Sequence, residues 1–151
     1  MDREYYMSLA LELASEAADR GEVPVGCVIA DREGNIIGRG HNRRRELSDA
    51  TAHAELEAIR QACAALGDWR LEGCSLFVSL EPCPMCAGAI LHARIPRIVC
   101  GAMDPVAGAM GSVWALHRHP VENQHTRLET GCLEEACGEI LREFFRSRRE
   151  E

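Results

Sequence analysis

The sequence predicts a single α/β domain in which a central sheet is covered by helices, and three features of the chain predict it. Short apolar runs of strand length, VGCVIA at 25–30, SLFVSL at 75–80 and the run from Ile98 to Ala102, alternate with longer segments whose apolar residues recur at helical spacing. No internal repeat and no linker divides the chain. Its 151 residues, 46% of them hydrophobic, are enough for one domain with a buried core.

The elements follow in order. From Asp2 to Arg20, the residues Tyr6, Leu9, Ala10, Leu13, Ala14 and Ala17 share one helical face, and Gly21 supplies a C-terminal stop. Val25 to Ala30 and Ile36 to Gly40, joined by the polar DREGN, read as a β-hairpin. The polar stretch from His41 to Ala50 reads as loop. Thr51 is placed to cap a helix running to Leu66, with Leu56, Ile59, Cys63 and Leu66 as its apolar stripe. SLFVSL reads as a buried strand, and Pro84 suits the first turn of the helix that contains MCAGAILHA. After the strand ending at Ala102, the Gly-rich stretch from Asp104 to Gly111 reads as a loop able to wall a pocket. A His-rich connection runs from His117 to His125, and Leu133, Ala136, Cys137, Ile140, Leu141, Phe144 and Phe145 then repeat at helical spacing.

Charge and cysteine usage narrow the function. A net charge of −7 excludes a protein that coats nucleic acid by bulk charge, because such binding draws on phosphate neutralisation by a basic surface. All 17 basic residues are arginine, clustered at Arg43, Arg44 and Arg45 and at Arg142, Arg146, Arg148 and Arg149. Such clusters are either solvated surface or local bidentate contacts to phosphate. No stretch approaches the roughly 20 apolar residues that span a bilayer, and the acidic start MDREYYM lacks the features of a secretory signal. Both observations place the chain in the cytoplasm with no membrane partner. Of the eight cysteines only Cys83 and Cys86 form a tight pair. The others sit singly in apolar surroundings, where reduced thiols act as small core hydrophobes, and no disulfide is expected.

The chemistry begins at CPMC. A CxxC at a helix start brings two sulfurs to one side of a turn, where free backbone N–H groups favour thiolate. By itself this pair serves a metal or a thioredoxin-like redox exchange equally well. The upstream TAHAELEA breaks the tie, because His53 offers an imidazole and Glu55, two residues on, a carboxylate in the same turn. His53, Cys83 and Cys86 with a water make an open zinc site, one ion per chain. Such a site lowers the pKa of water from about 16 toward roughly 7, and Glu55 beside it can take the proton and hand it on. A structural zinc would need a fourth protein ligand; Cys74 precedes a strand and has no paired partner. The bland readings are a core histidine and a solvated glutamate.

HxE followed by PCxxC is the signature of zinc nucleobase deaminases. EVPVG, the GxGHN pattern ending at Asn42, TAHAE, LEPCPMCAGAI, GAMDPVAGAMGS and FFRSRR resemble the bacterial tRNA-specific adenosine deaminase family along nearly the whole chain. HAE with PCPMC is shared with the wider cytidine and guanine deaminase superfamily and speaks to chemistry only. The resemblance implies a cytidine deaminase-like three-layer fold, with a central mixed five-stranded sheet flanked by helices, working as a homodimer. It implies conversion of adenosine to inosine at the wobble position of a tRNA anticodon. It further implies that His53, Cys83 and Cys86 bind zinc, Glu55 moves protons, Val25 lines the base pocket and Asn42 contacts the target nucleotide. Asp104 and Asn123 would touch nucleotides near the target, and Arg44, Phe145 and Arg149 would hold the anticodon loop. By spacing alone, Phe145 belongs to the core stripe, and Asn42, Asp104 and Asn123 are ordinary turn residues.

The chain departs from the family at two places. Pro105, Val106 and Ala107 stand where basic or hydroxyl residues are common, and Asn123-Gln124 stands where Asn-His is usual. Three other readings remain: a deaminase of free guanine, cytosine or a related small compound; a dithiol oxidoreductase, which leaves His53 and Glu55 without a role; and a silent zinc-stabilised interaction domain.

Overall fold

The structure, a computed structural model, describes residues 2–118 and 126–149, and the side chain of Arg149 is outside that description. Five strands form one mixed sheet: β1 (Gly26–Ala30), β2 (Ile36–His41), β3 (Ser75–Leu80), β4 (Arg97–Ala102) and β5 (Arg127–Glu129). Their spatial order is β2-β1-β3-β4-β5. β1 pairs antiparallel with β2 and β3, and β3, β4 and β5 run parallel. Helices α1 (Arg3–Asp19) and α5 (Glu134–Arg149) cover one face, and α3 (Ala54–Leu66) and α4 (Pro84–His92) cover the other. A four-residue helix, α2 (Arg44–Leu47), follows β2.

β1 and β3 are apolar without alternation because both their faces are covered. Cys27, Ile29, Leu76 and Val78 pack with Ala54, Ala58, Ala87 and Ile90. Val28, Ala30 and Phe77 pack on the opposite side with Tyr6, Met7, Ala10 and Cys137. The three-layer architecture and the mixed five-stranded sheet therefore match expectation, and all eight cysteines are free thiols.

The buried stripe of α3 differs from the one that spacing predicts. Ala54, Ala58 and Ala62 are fully buried, Leu56, Ile59 and Cys63 only partly, and Leu66 is exposed. The cause lies on β2. A Cβ on Gly40 would stand 2.2 Å from the Ala54 carbonyl oxygen, and one on Gly38 would stand 2.2 Å from that of Ala58. Small residues facing small residues let the helix backbone settle onto the strand, which pushes the larger side chains to its flank. This close approach also fixes the first turn of α3 against the sheet.

Thr51 does not cap that helix. Its N–H and hydroxyl turn back to the Asp49 carboxylate at 2.8 and 2.7 Å, His53 precedes the first helical residue, and the Ala54 N–H donates to Asn42 Oδ1 at 3.0 Å. α2 lies within the stretch expected to be loop, and its start is held from far away in sequence. The buried Glu22 carboxylate accepts the N–H of Arg45 at 3.0 and 3.2 Å and that of Glu46 at 2.9 Å. β5 is three residues long, too short for a periodic signal. Leu133 takes a left-handed φ of 50°, so α5 begins one residue later than its apolar repeat.

Candidate active site

β3 ends at Leu80, and after Glu81 and Pro82 the chain turns into α4 with Cys83 at its cap and Pro84 at its first position. Proline is favoured there because its missing N–H would be unpaired anyway. Cys86, one turn in, is fully buried. The first turn of α3 comes to meet this junction. His53 Nδ1 lies 3.7 Å from Cys83 Sγ and 3.5 Å from Cys86 Sγ, and the three ligand atoms all fall within 4.8 Å of one another. Zn–S bonds of about 2.3 Å and a Zn–N bond of about 2.0 Å in a tetrahedron put nitrogen and sulfur about 3.5 Å apart, so this donor set fits zinc as it stands. Among the described residues no other group of three His, Cys, Asp or Glu comes together in this way. Cys74 is not a fourth ligand; its thiol faces the Glu72 carbonyl at 3.9 Å.

Without metal, the neighbouring Cys86 and then the His53 ring bring the Cys83 thiol down to about 4. The same contacts raise Cys86 and His53 above their ordinary values, Cys86 and His53 each chiefly through Cys83. Two carboxylates share the adjoining cavity, and their surroundings push them in opposite directions. Glu55 is 3% exposed, and burial raises its pKa to about 7 against the pull of its own backbone N–H and of His53. Burial acts on Glu81 as well. There, hydrogen bonds from the Ser112 hydroxyl and the N–H groups of Asp104, Ser112 and Met110 outweigh it and hold the group below the usual carboxylate value. The two carboxyls of one cavity are thus set apart by their surroundings, burial raising one and hydrogen bonds lowering the other.

The cavity that opens onto His53 and Glu55 measures about 290 Å³ and takes Val25, Asn42, Arg44 and Asp104 into its wall. Asn42 spends part of its amide on the frame, donating to the Val23 carbonyl at 3.0 Å while accepting from Ala54. Asp104 caps its own loop, accepting the N–H of Val106 at 2.9 Å and of Ala107 at 3.2 Å. The Gly-rich stretch thus contributes to the pocket wall, as its composition suggests.

Phe145 is not part of that cavity, nor of the core. It is 44% exposed and lines two adjacent grooves that share Val23 with the cavity, one of them together with Arg44, Arg45 and Arg148. The apolar repeat misplaces it because the last turns of α5 close on the turn after α1, where Arg148 donates to the Gly21 carbonyl at 2.6 Å. Asn123 and Gln124 lie outside the described residues, as does the Arg149 side chain. The arginine clusters divide. Arg43 is tied to Glu46 and Glu57, and Arg142 to Glu139, whereas Arg44, Arg45 and Arg148 border the groove. Glu81 carries no signal of its own in the sequence beyond standing two residues before Cys83.

Residues 1–102 match the family described as the cytidine and deoxycytidylate deaminase zinc-binding region. The tRNA-specific adenosine deaminase of Bacillus subtilis is 46% identical over 146 residues, covering 97% of this chain and 90% of that protein. A solved structure from studies of A-to-I editing by tRNA:A34 deaminases at the wobble position of transfer RNA superposes with a TM-score of 0.87 at 47% identity, covering 91% of this chain and 99% of the other. A guanine deaminase from Nitrosomonas europaea superposes with a TM-score of 0.79 at 30% identity, covering 93% and 83%.

Proposed function

Because the chain belongs to the zinc-binding cytidine and deoxycytidylate deaminase family and sides with its tRNA-specific adenosine deaminases, we propose that it converts adenosine to inosine at the wobble position of a tRNA anticodon. It acts as one deaminase domain over residues 1–151. The observation that carries the reaction type is the meeting of His53, Cys83 and Cys86 beside a buried Glu55, with His53, Glu55 and Cys83 lining one cavity. Identity near one half over almost the entire chain supports the substrate.

His53, Cys83 and Cys86 would hold the zinc, which would supply Lewis-acid activation of a water near neutral pH. Glu55 takes the proton released as a water adds to the amino-bearing ring carbon. It passes that proton to the adjacent ring nitrogen, then takes the proton of the hydroxyl now on the ring carbon and delivers it to the departing amine, so that adenosine and water become inosine and ammonia. Burial, which raises the Glu55 carboxyl above the ordinary carboxylate value, favours return of the proton as well as its acceptance. Val25 and Asn42 border the base, and an anticodon loop offers an unpaired base that can enter without opening a duplex. With a net charge of −7, the protein relies on placed arginines, and Arg44 and Arg45 offer charge to the flanking nucleotides along a groove that Arg148 and exposed Phe145 complete.

We also place the protein in the cytoplasm as a homodimer. Eight free thiols suit a reducing compartment, no helix among the described residues is long and apolar enough to cross a membrane, and exposed Met85, Val113 and Trp114 offer apolar surface to a second copy. Sedimentation velocity tests the dimer.

The competing substrate class is a free nucleobase, favoured by the uncharged Pro105, Val106 and Ala107 beside the cavity. Incubation with total tRNA, an anticodon hairpin, guanine, cytosine and adenosine separates the two. Inosine in RNA supports the tRNA reading; ammonia from guanine or cytosine with untouched tRNA refutes it.

A further inference from the structure

Glu81 is a buried charge beside the cavity that the chemistry above does not employ. It borders the catalytic cavity and is 2% exposed. One of its oxygens accepts the Asp104 N–H at 2.9 Å and the Ser112 hydroxyl. The other accepts the N–H of Met110 at 2.9 Å and that of Ser112 at 3.0 Å. A carboxylate offers about four acceptor sites, and these four donors fill them, so none is left for a substrate or an attacking water. All the donors belong to one loop, 104–112, which gives Asp104 and Ala107 to the cavity wall. The fit leaves no slack. A Cβ on Gly108 would stand 2.1 Å from Glu81 Oε1, and the Ala109 N–H reaches the Pro82 carbonyl at 2.9 Å.

We propose that Glu81 is a positioning residue: its saturated carboxylate fixes the 104–112 loop as a rigid wall of the base pocket and thereby sets which base the pocket accepts. The inference rests on reading this cavity as the base pocket. A fully satisfied buried network holds its members in one arrangement, and a single missing partner leaves the others unpaired. Discrimination between similar bases depends on walls that do not yield, since a yielding wall admits the larger base at little cost.

The test uses the zinc-loaded full chain with Glu81→Gln and Ser112→Ala, on anticodon hairpins that carry adenosine or the bulkier 2,6-diaminopurine riboside at the reacting position. In Glu81→Gln, KM for the adenosine hairpin should rise about tenfold, and the kcat/KM preference for adenosine over diaminopurine should fall about tenfold, with zinc content unchanged. Ser112→Ala removes one donor from a more exposed position and should move the preference the same way by less. A rate loss shared equally by both hairpins, in step with a lowered Tm, overturns the proposal. Amide hydrogen exchange supplies a readout that needs no RNA: residues 104–112 should exchange faster in both variants, and unchanged exchange overturns the proposal as well. A wild-type protein that leaves the adenosine hairpin untouched counts against the substrate reading instead, and the exchange result still decides the role of Glu81.

Discussion

The side-chain oxygen of Asn42 accepts the Ala54 N–H at 3.0 Å and so holds the start of the helix whose first turn carries Glu55. Its amide nitrogen donates to the Val23 carbonyl at 3.0 Å, and the residue is 6% exposed. Asn42→Ala would leave the buried Ala54 N–H unpaired, at a cost of about 1–3 kcal/mol, and would take from the half-buried Val23 carbonyl one of its two donors, the Val25 N–H at 2.9 Å remaining. Urea unfolding should show a clear loss of stability for Asn42→Ala. Asn42→Asp, which keeps the acceptor for Ala54 and loses the donor to Val23, should lose less. Equal stability in all three proteins would show that Asn42 is no part of the frame.

Metal content and turnover should separate cleanly. Cys83→Ala and Cys86→Ala should each lose the zinc and the activity together, because two remaining protein ligands do not make a zinc site of this kind. Metal analysis of the wild type should give about one zinc per chain, as expected for a single His-Cys-Cys set. Glu55→Gln should retain the zinc and lose about 100-fold to 10,000-fold in kcat, since an amide of similar shape cannot carry the proton. Near wild-type turnover in Glu55→Gln would remove the assigned role.

The metal set and its neighbour were legible in sequence because their spacing encodes them. Cys83 and Cys86 sit one turn apart on one helix, and Glu55 follows His53 within a turn of another. Strand runs and the helix after Pro84 were equally readable, since each depends on local periodicity. Features built by distant partners were not. The cap of α2 comes from Glu22, the start of α3 is held by Asn42 rather than Thr51, and the buried face of α3 is chosen by Gly38 and Gly40 on β2. Phe145 obeys the apolar repeat of its helix yet faces a groove, because a repeat cannot tell where the sheet beneath it ends. Glu81 looks like any solvated glutamate until the loop that wraps it is seen.

Acid should loosen the far edge of the sheet through Glu129. Arg97 contacts it at 2.7 and 3.2 Å, Arg3 at 3.3 Å and Arg127 at 3.3 Å, which ties α1 and β4 to β5. These partners, Arg97 foremost, hold the Glu129 carboxyl below its ordinary value. A carboxyl with a lower pKa in the folded state contributes stability above its unfolded pKa, and the contribution is lost as pH falls through the folded value. Wild-type protein should therefore lose stability between about pH 5 and pH 2 more steeply than Glu129→Gln, and the two should converge at the acid end. Parallel unfolding curves across that range would show that the cluster is neutral for stability.

The groove beside the cavity gives a prediction that separates a charge that touches RNA from one that shapes the protein. Arg148 donates to the Gly21 carbonyl at 2.6 Å, and its guanidinium lies 4.7 Å from the centre of the Phe144 ring. It therefore pins the end of α5, and with it Phe145, along the groove that Arg44 and Arg45 border. Arg44 is exposed on α2 and also lines the catalytic cavity, where a phosphate flanking the reacting nucleotide can meet it. Phosphate contacts declare themselves in the salt dependence of binding, which falls by about one unit of slope for each contact removed. Arg44→Ala should weaken binding of the anticodon hairpin and lower that slope by about one. Arg148→Ala should weaken binding too, by freeing Phe145, yet leave the slope as it was, while zinc content stays unchanged. Phe144→Leu, which removes the ring under Arg148 without touching any charge, should reproduce part of the Arg148→Ala loss, and the double variant should lose less than the sum of the two. If Arg148→Ala lowers the slope as Arg44→Ala does, Arg148 is a phosphate contact rather than a latch.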